Sequence, residues 1–540
     1  MFASASPHLL FGLVFTLAVV YYLVNHALGK RLPPRAPSNI PYYEHTRGFL
    51  EGGERLYSIM KVHAGSRIPI RFSLLGGDVY LISSPGLIRA TLYDTKKFVA
   101  HYARARFIQN VLGYSKAAIQ SIEHDTSGSA KDPLPGSSTP ANKRILRMQQ
   151  VSTLDVISSK DGMVEILHQF TRVYDQMLDE RVGGGKWVEL PDLYGFMRYI
   201  GSTAVITALC GPRLLRDCPG FLDAFWTFDE KVHYLHMALP SWLNPRAGKA
   251  RAFCVDAITK WRKGAVDMAK SAPYSVDDMW NEIWGLKAMR LRNEMYDNFP
   301  EIDEASRSGA DLGILWASND NLVPTIFEYI FAILRSPSLL ARCKAEMAHA
   351  RLPTRDPSGM ADFEPSILIK QPLLQSVLNE VLRLNASSLI GRTAREDFQV
   401  DNYTIPKGSM ALVSAHLEHI NRAVWEARPG AHNHPVEEFW PERFLDYNSL
   451  VNANQPPSIS MKGLDGSFLP FGLGYNMCPG RHFAIRTVLY TAAKFVHRYE
   501  VIPQRQFCGK WPEPQKNYKT FGYAICGPAN QIPVLIRQIE

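Results

Sequence analysis

The segment Phe471-Gly-Leu-Gly-Tyr-Asn-Met-Cys478-Pro-Gly480-Arg-His-Phe-Ala484 restricts what this chain can fold into more than any other stretch. It sets one cysteine between a glycine-rich loop and an apolar helical run through Ala484, Val488, Leu489 and Ala492. Glycine at 472, 474 and 480 lets the backbone approach a flat ligand closely and adopt unusual dihedrals. A thiolate at Cys478 gains from the loop N–H groups and from the positive end of the helix that follows. A buried cysteine beside a helix gives the same local pattern with no chemistry attached, so the rest of the chain has to decide.

The chain has 540 residues, 46% apolar and 21% charged, enough to bury a large core. Its net charge of +9 is scattered, without a Lys/Arg block, and gives nucleic-acid binding little support. Seven cysteines without a CxxC pair read as reduced thiols in a cytosol-like compartment. Leu9 to Val24 is uncharged and apolar, and the run continues to Leu28, long enough to span a bilayer as a helix. Lys30, Arg31 and Arg35 follow it, which puts the bulk of the chain on the cytosolic side. A cleaved signal peptide would carry a basic segment first and a shorter apolar core. The expected organisation is an anchor at 1–29, a basic, proline-rich hinge at 30–41 and one catalytic domain at 42–540.

Ile68 to Ser83 predicts two short strands about Gly76-Gly77, and Tyr403 to Leu417 returns to strand character. Ser121 to Asn142 reads as an exposed loop, and from about Val151 to Ala348 the periodicity is helical. Leu373 to Leu384 has an apolar helical face on which Glu380 and Arg383 share a side. Downstream, Phe439-Trp-Pro-Glu-Arg443-Phe444 brings a further arginine. One carboxylate between two guanidiniums makes a charge-assisted network suited to pinning a meander against a helix. His416 and His419 are three apart, but no third ligand converges on them in sequence, so zinc is not expected.

Together these motifs resemble the cytochrome P450 family, in the family's order: an oxygen-side helix, the Glu380/Arg383 pair, the segment Pro441 to Phe444, and the cysteine loop. The resemblance implies a mainly α fold with a small β region, preceded here by a single N-terminal transmembrane helix. It implies haem b held by Cys478 as metal ligand, with Phe471, Gly472, Gly474, Asn476 and Gly480 around it, and Glu380, Arg383 and Arg443 as a structural triad. Within the family the likeness is to the branch of cholesterol 7-alpha-hydroxylase, sterol 12-alpha-hydroxylase and prostacyclin synthase. On the distal helix Asp320 holds the position of the usual acid, and Asn321 replaces the usual threonine; both are the expected catalytic residues. Pro324 has no N–H and clashes with the carbonyl of Asp320, so a kink is expected there. Arg392 matches an arginine that commonly binds a haem propionate. Asn476 stands where many members place a charged propionate ligand, and one of Lys143, Arg144 or Arg147 is the candidate to compensate.

The function implied is a monooxygenase of the endoplasmic reticulum membrane. It would be single-pass, with its catalytic domain facing the cytosol. It would oxidise a sterol, terpenoid or similar secondary metabolite with O2 and with electrons from NADPH through NADPH-cytochrome P450 reductase. The expected substrate walls are Leu315 to Asn321, Ala386 to Ile390, Phe107 to Tyr114 and Phe521 to Ala524. A P450-type isomerase that rearranges an oxygenated substrate without O2 is the alternative within the family. A haem carrier or sensor without turnover is the alternative outside it.

Overall fold

The computed structural model describes residues 31–134, 136–240, 242–271, 274–352, 363–446, 448, 457–474, 477–504, 509–523 and 525–539. The apolar run at Leu9 to Leu28 lies outside them. Among the described residues no single helix is long and apolar enough to cross a membrane.

The chain is mainly helical with small sheets. β1 (Ile70–Leu74) and β2 (Gly77–Ile82) form the hairpin about Gly76-Gly77, and β3 (Phe98–Val99) follows. Together with β5 (Leu389–Ala394) and β6 (Met410–Ser414) they make a five-stranded sheet in the order β1-β2-β6-β5-β3. β6 runs parallel to β2 and antiparallel to β5, with Ala411 opposite Arg392. A second sheet joins β7 (Tyr499–Pro503), β8 (Val534–Gln538) and β4 (Val188–Leu190), in the order β7-β8-β4. The proline-rich segment is tied to the first sheet: Arg71 N–H donates to Pro34 O at 2.9 Å, and Ala36 N–H donates to Arg71 O at 2.8 Å.

The helices that position the site are α1 (His101–Asn110), α2 (Lys160–Val182), α3 (Leu193–Cys210), α4 (Phe221–Asp229), α5 (Pro245–Ser271), α6 (Lys287–Tyr296), α7 (Glu304–Leu334), α8 (Pro372–Asn385) and α9 (Arg481–Arg498). α7 is central and packs against α3, α5, α8 and α9. Asp303 caps it by accepting from Ser306 N–H, and its apolar residues are buried on nearly all sides, as in the core helix of a large domain. Two glycines on α7 let a loop cross it closely. A Cβ at Gly309 would lie 2.2 Å from Leu112 O, and one at Gly313 would lie 2.8 Å from the Leu112 side chain.

The region expected as an exposed loop at 121–142 starts later. A helix continues to His124, and Asp125 and Ser127 behind it are buried. Asp125 accepts from the N–H groups of Ser127 and Leu146, so it serves as a local backbone anchor.

Candidate active site

The cysteine loop is folded by its own backbone. Cys478 N–H donates to Phe471 O at 2.9 Å, closing the loop, and Gly480 ends it as the residue before α9. Gly472 and Gly474 have φ of 74° and 71°, the left-handed region that favours glycine. A Cβ at Gly474 would also meet Leu92 O at 2.5 Å, so the loop lies flat against the helix Pro85–Tyr93. Burial pushes the Cys478 thiol up. The N–H groups of Gly480 and Arg481 and the Arg481 charge act against that shift. Tyr475 and Asn476 lie outside the described residues. The six described cysteines are all free thiols.

Cys478, Phe471, Gly472 and Gly480 line a cavity of about 400 Å³ together with Ala317, Asn321 and Thr325 of α7. Leu378, Leu382, Ser388, Ile390, Phe483 and Val488 add apolar wall. The cysteine loop and the middle of the central helix therefore face one mostly apolar space.

On α7 the two expected catalytic residues separate. Asn321 faces the cavity, and its Nδ2 donates back to Ala317 O at 3.3 Å. Asp320 does not line the cavity; its side chain is 3% exposed, and burial first and the nearby Asp229 carboxyl second hold it well above the usual carboxyl range. Neighbouring helix positions point about 100° apart, so Asn321 can face the cavity while Asp320 turns away from it. The helix runs on through Pro324, and Thr325 Oγ1 donates to Asn321 O at 2.6 Å beside it.

Below the cavity Glu380, Arg383 and Arg443 are wholly buried. Arg383 grips Glu380 with both edges, Nε to Oε2 at 2.7 Å and Nη2 to Oε1 at 2.8 Å. Arg443 Nε donates to Oε1 at 3.0 Å, and Trp440 N–H donates to the same oxygen at 3.0 Å. The remaining guanidinium donors go to carbonyls of the meander: Arg383 Nη1 to Val436 and His419, and Arg443 Nη2 to Pro435 and Glu438. His419 extends the network to the cysteine loop. Its Nδ1–H donates to Arg383 O at 3.0 Å, and Nε2 accepts from Leu469 N–H at 2.8 Å. Burial holds this imidazole neutral, its pKa pushed down to about 3. His419 is thus a strut between the triad and the start of the cysteine loop, a role that residue type and spacing alone did not reveal.

Arg392 on β5 is 6% exposed, donates to Gly391 O at 2.9 Å, and has no carboxylate against it among the described residues. The third-helix cations lie elsewhere. Arg144 spends its donors on Ala130 and Lys131 carbonyls, Lys143 donates to Asn298 O, and Arg147 sits 3.8 Å from Asp155. None of the three lines the cavity. Of the expected substrate walls, Ala317, Ser318 and Asn321 of the first and Ser388 and Ile390 of the second line it directly. The walls expected at Phe107 to Tyr114 and, among its described residues, at Phe521 to Tyr523 stand back from it. Phe107 packs on Trp316 and His236, and Tyr523 Oη meets His236 Nδ1 at 3.0 Å. Ala524 lies outside the described residues.

Residues 310–520 match the family model described as Cytochrome P450. The chain is 27% identical to the cytochrome P450 monooxygenase fsoE of Humicola fuscoatra, over 94% of this chain and 87% of that protein. It is 26% identical to the cytochrome P450 monooxygenase efuG of Hormonema carpetanum, over 95% and 91%. It is 30% identical to cholesterol 7-alpha-monooxygenase of Cricetulus griseus, over 49% of each chain. Among solved structures, a retinoic acid-bound cyanobacterial CYP120A1 shares the fold with a TM-score of 0.63 at 16% identity, covering 95% of this chain and all of that one. Residues 310–520 thus carry the match to the cytochrome P450 family model, and likeness to named P450 monooxygenases along nearly the whole chain supports an oxidoreductase.

Proposed function

We propose that this protein is a monooxygenase anchored in the endoplasmic reticulum membrane by residues 1–29. Its catalytic domain, 42–540, would face the cytosol and oxidise a lipophilic small molecule of the sterol, terpenoid or secondary-metabolite class. Electrons come from NADPH through a P450 reductase. The observation that carries this function is the mostly apolar cavity onto which Cys478 and Asn321 both face. A mostly apolar wall with few polar groups suits a lipophilic substrate, and the named relatives include a cholesterol 7-alpha-monooxygenase.

The chain fits haem. Cys478 offers a thiolate at the end of a closed loop, and Arg392 is a buried cation with no carboxylate against it among the described residues, suited to a propionate. Haem in this site supplies the redox chemistry, tuned by the electron-rich cysteine sulfur. Among the described residues Asn321 uses one amide N–H on Ala317 O, which leaves its amide oxygen and second N–H to hold a water by accepting from it and donating to it. That positions a proton donor at the cavity wall.

Asn321→Ala should leave substrate binding in place and weaken proton delivery, by up to about 10²–10⁴-fold in product formation, with NADPH still consumed and more peroxide released. Asn321→Thr should keep more coupling than alanine. Product formed per NADPH consumed checks this; unchanged coupling in the alanine variant would leave Asn321 a packing residue. In an isomerase that needs no O2, neither change would alter peroxide release.

Arg481, His482 and Arg486 follow the cysteine loop and offer a basic docking face to an acidic reductase domain. Arg144 is buried and contributes nothing to it. Complementary charge mainly speeds encounter and is screened by salt. Reductase-driven turnover should fall as ionic strength rises, while peroxide-driven turnover should not. Equal salt dependence of the two would remove the charged docking face.

A further inference from the structure

The helix at 145–158 carries a single-turn π-bulge. Ile145–Gln149 and Asp155–Ser158 are α-helical, while Gln150–Leu154 between them is π-helical, with Asp155 N–H donating to Gln150 O. Leu154 and Ile157 line the cavity beside Ile166 and Leu209; Thr153 and Val156 do not. An i→i+5 turn holds one residue more than an α-turn, so each later residue sits about 100° round the axis from its α-helical place. A regular helix here would bring Thr153 and Val156 to the cavity where Leu154 and Ile157 now stand.

The bulge is held from behind by α6, which packs on it. Thr153 is 2% exposed, and its Oγ1 accepts from Arg292 Nη1 at 3.0 Å. Arg292 Nε donates in turn to Asp311 Oδ1 on α7 at 2.9 Å, and both charged groups are buried. Ser152 Oγ reaches Met295 Sδ at 3.7 Å, and Gln149 Nε2 reaches Tyr296 Oη at 3.5 Å, so the segment is tied to α6 at three points. A buried ion pair adds little net stability over apolar packing, and its best-attested use is to fix register. The register at stake here is that of the helix at 145–158.

We propose that Arg292 is a positioning residue for the cofactor-side wall. Anchored by Asp311, it grips the Thr153 hydroxyl and keeps the bulge, so that Leu154 and Ile157 present the apolar wall in place of Thr153 and Val156. This role rests on the haem site proposed above and not on turnover.

Transfer of haem from the full-length holoenzyme to an excess of a haem-free globin, followed by absorbance, tests it without substrate or reductase. In the parent, Leu154→Ala and Ile157→Ala should speed transfer severalfold, and Val156→Ala should not. Thr153→Val keeps the shape of the side chain, takes the acceptor from Arg292 and gives the straight register an apolar residue for the cavity. It should speed transfer about tenfold, the scale of one unmet buried hydrogen bond, and Thr153→Ser should keep the parental rate. Arg292→Lys, which lacks the two edges needed to hold Asp311 and Thr153 together, should match Thr153→Val. In Thr153→Val the alanine pattern should also exchange: Val156→Ala now speeds transfer and Leu154→Ala adds little. A merely structural contact would lower the melting temperature without that exchange. Parental transfer rates in Thr153→Val and Arg292→Lys, or an alanine pattern that does not exchange in Thr153→Val, would overturn the role of Arg292. Val156→Ala as fast as Leu154→Ala in the parent would overturn the register itself. Absence of NADPH-driven turnover in a parent that follows the haem pattern would instead count against the monooxygenase function.

Discussion

Glu380→Ala should cost about 3–5 kcal/mol of folding stability, the scale found when one partner of a buried charge cluster is removed. In this protein the loss falls on two arginines at once. Arg383 and Arg443 each donate to Glu380, and both are at most 1% exposed, so the alanine leaves two guanidinium charges with only carbonyl partners. A typical domain has about 5–15 kcal/mol in total, so most of the chain should fail to reach the haem-bound state. Arg383→Lys should not rescue the arrangement, because an ammonium cannot reproduce the two-edged grip on Glu380 while reaching the Val436 and His419 carbonyls. The check is thermal unfolding together with the fraction of protein recovered with haem. A Glu380→Ala protein that melts within a degree or two of the parent would show that the cluster does not hold the meander.

Local pattern made the strands, the long helical region and the three motifs legible, because each depends on residues close in sequence. The hairpin at Ile70–Ile82 follows from two apolar runs about a glycine pair, and α8 from its apolar stripe. What stayed hidden depends on which distant groups meet. Asp320 and Asn321 are adjacent in sequence and were expected to act together, yet one turns to α4 and the other to the cavity. A signal for Asp229 was present: Phe221, Phe225 and Asp229 recur every four residues, which places a carboxyl on the buried stripe of a short helix. Arg144 shows the converse. A cluster of three cations suggested an anion site, but its donors are taken by the Ala130 and Lys131 carbonyls, contacts that no periodicity encodes. His419 had the least signal of all, since its two partners lie 36 and 50 residues away in sequence.

The identity of the axial ligand decides more of this chemistry than any other single point. Cys478 is the described cysteine that lines the cavity, half-buried between Phe471 O and the start of α9. Cys526 is buried near Ser387 and Lys516 and does not line it. Serine at 478 keeps the size of the side chain and offers an alcohol in place of a thiolate, so the electron-rich sulfur that defines the haem environment is lost. The most direct measurement is the absorption spectrum of the reduced, CO-bound protein for the parent, Cys478→Ser, Cys508→Ser and Cys526→Ser. The parent and the two control variants should show the thiolate-type spectrum, and Cys478→Ser should lose it completely, with monooxygenase activity falling to background. Survival of that spectrum in Cys478→Ser, with its loss in Cys508→Ser or Cys526→Ser, would contradict the assignment.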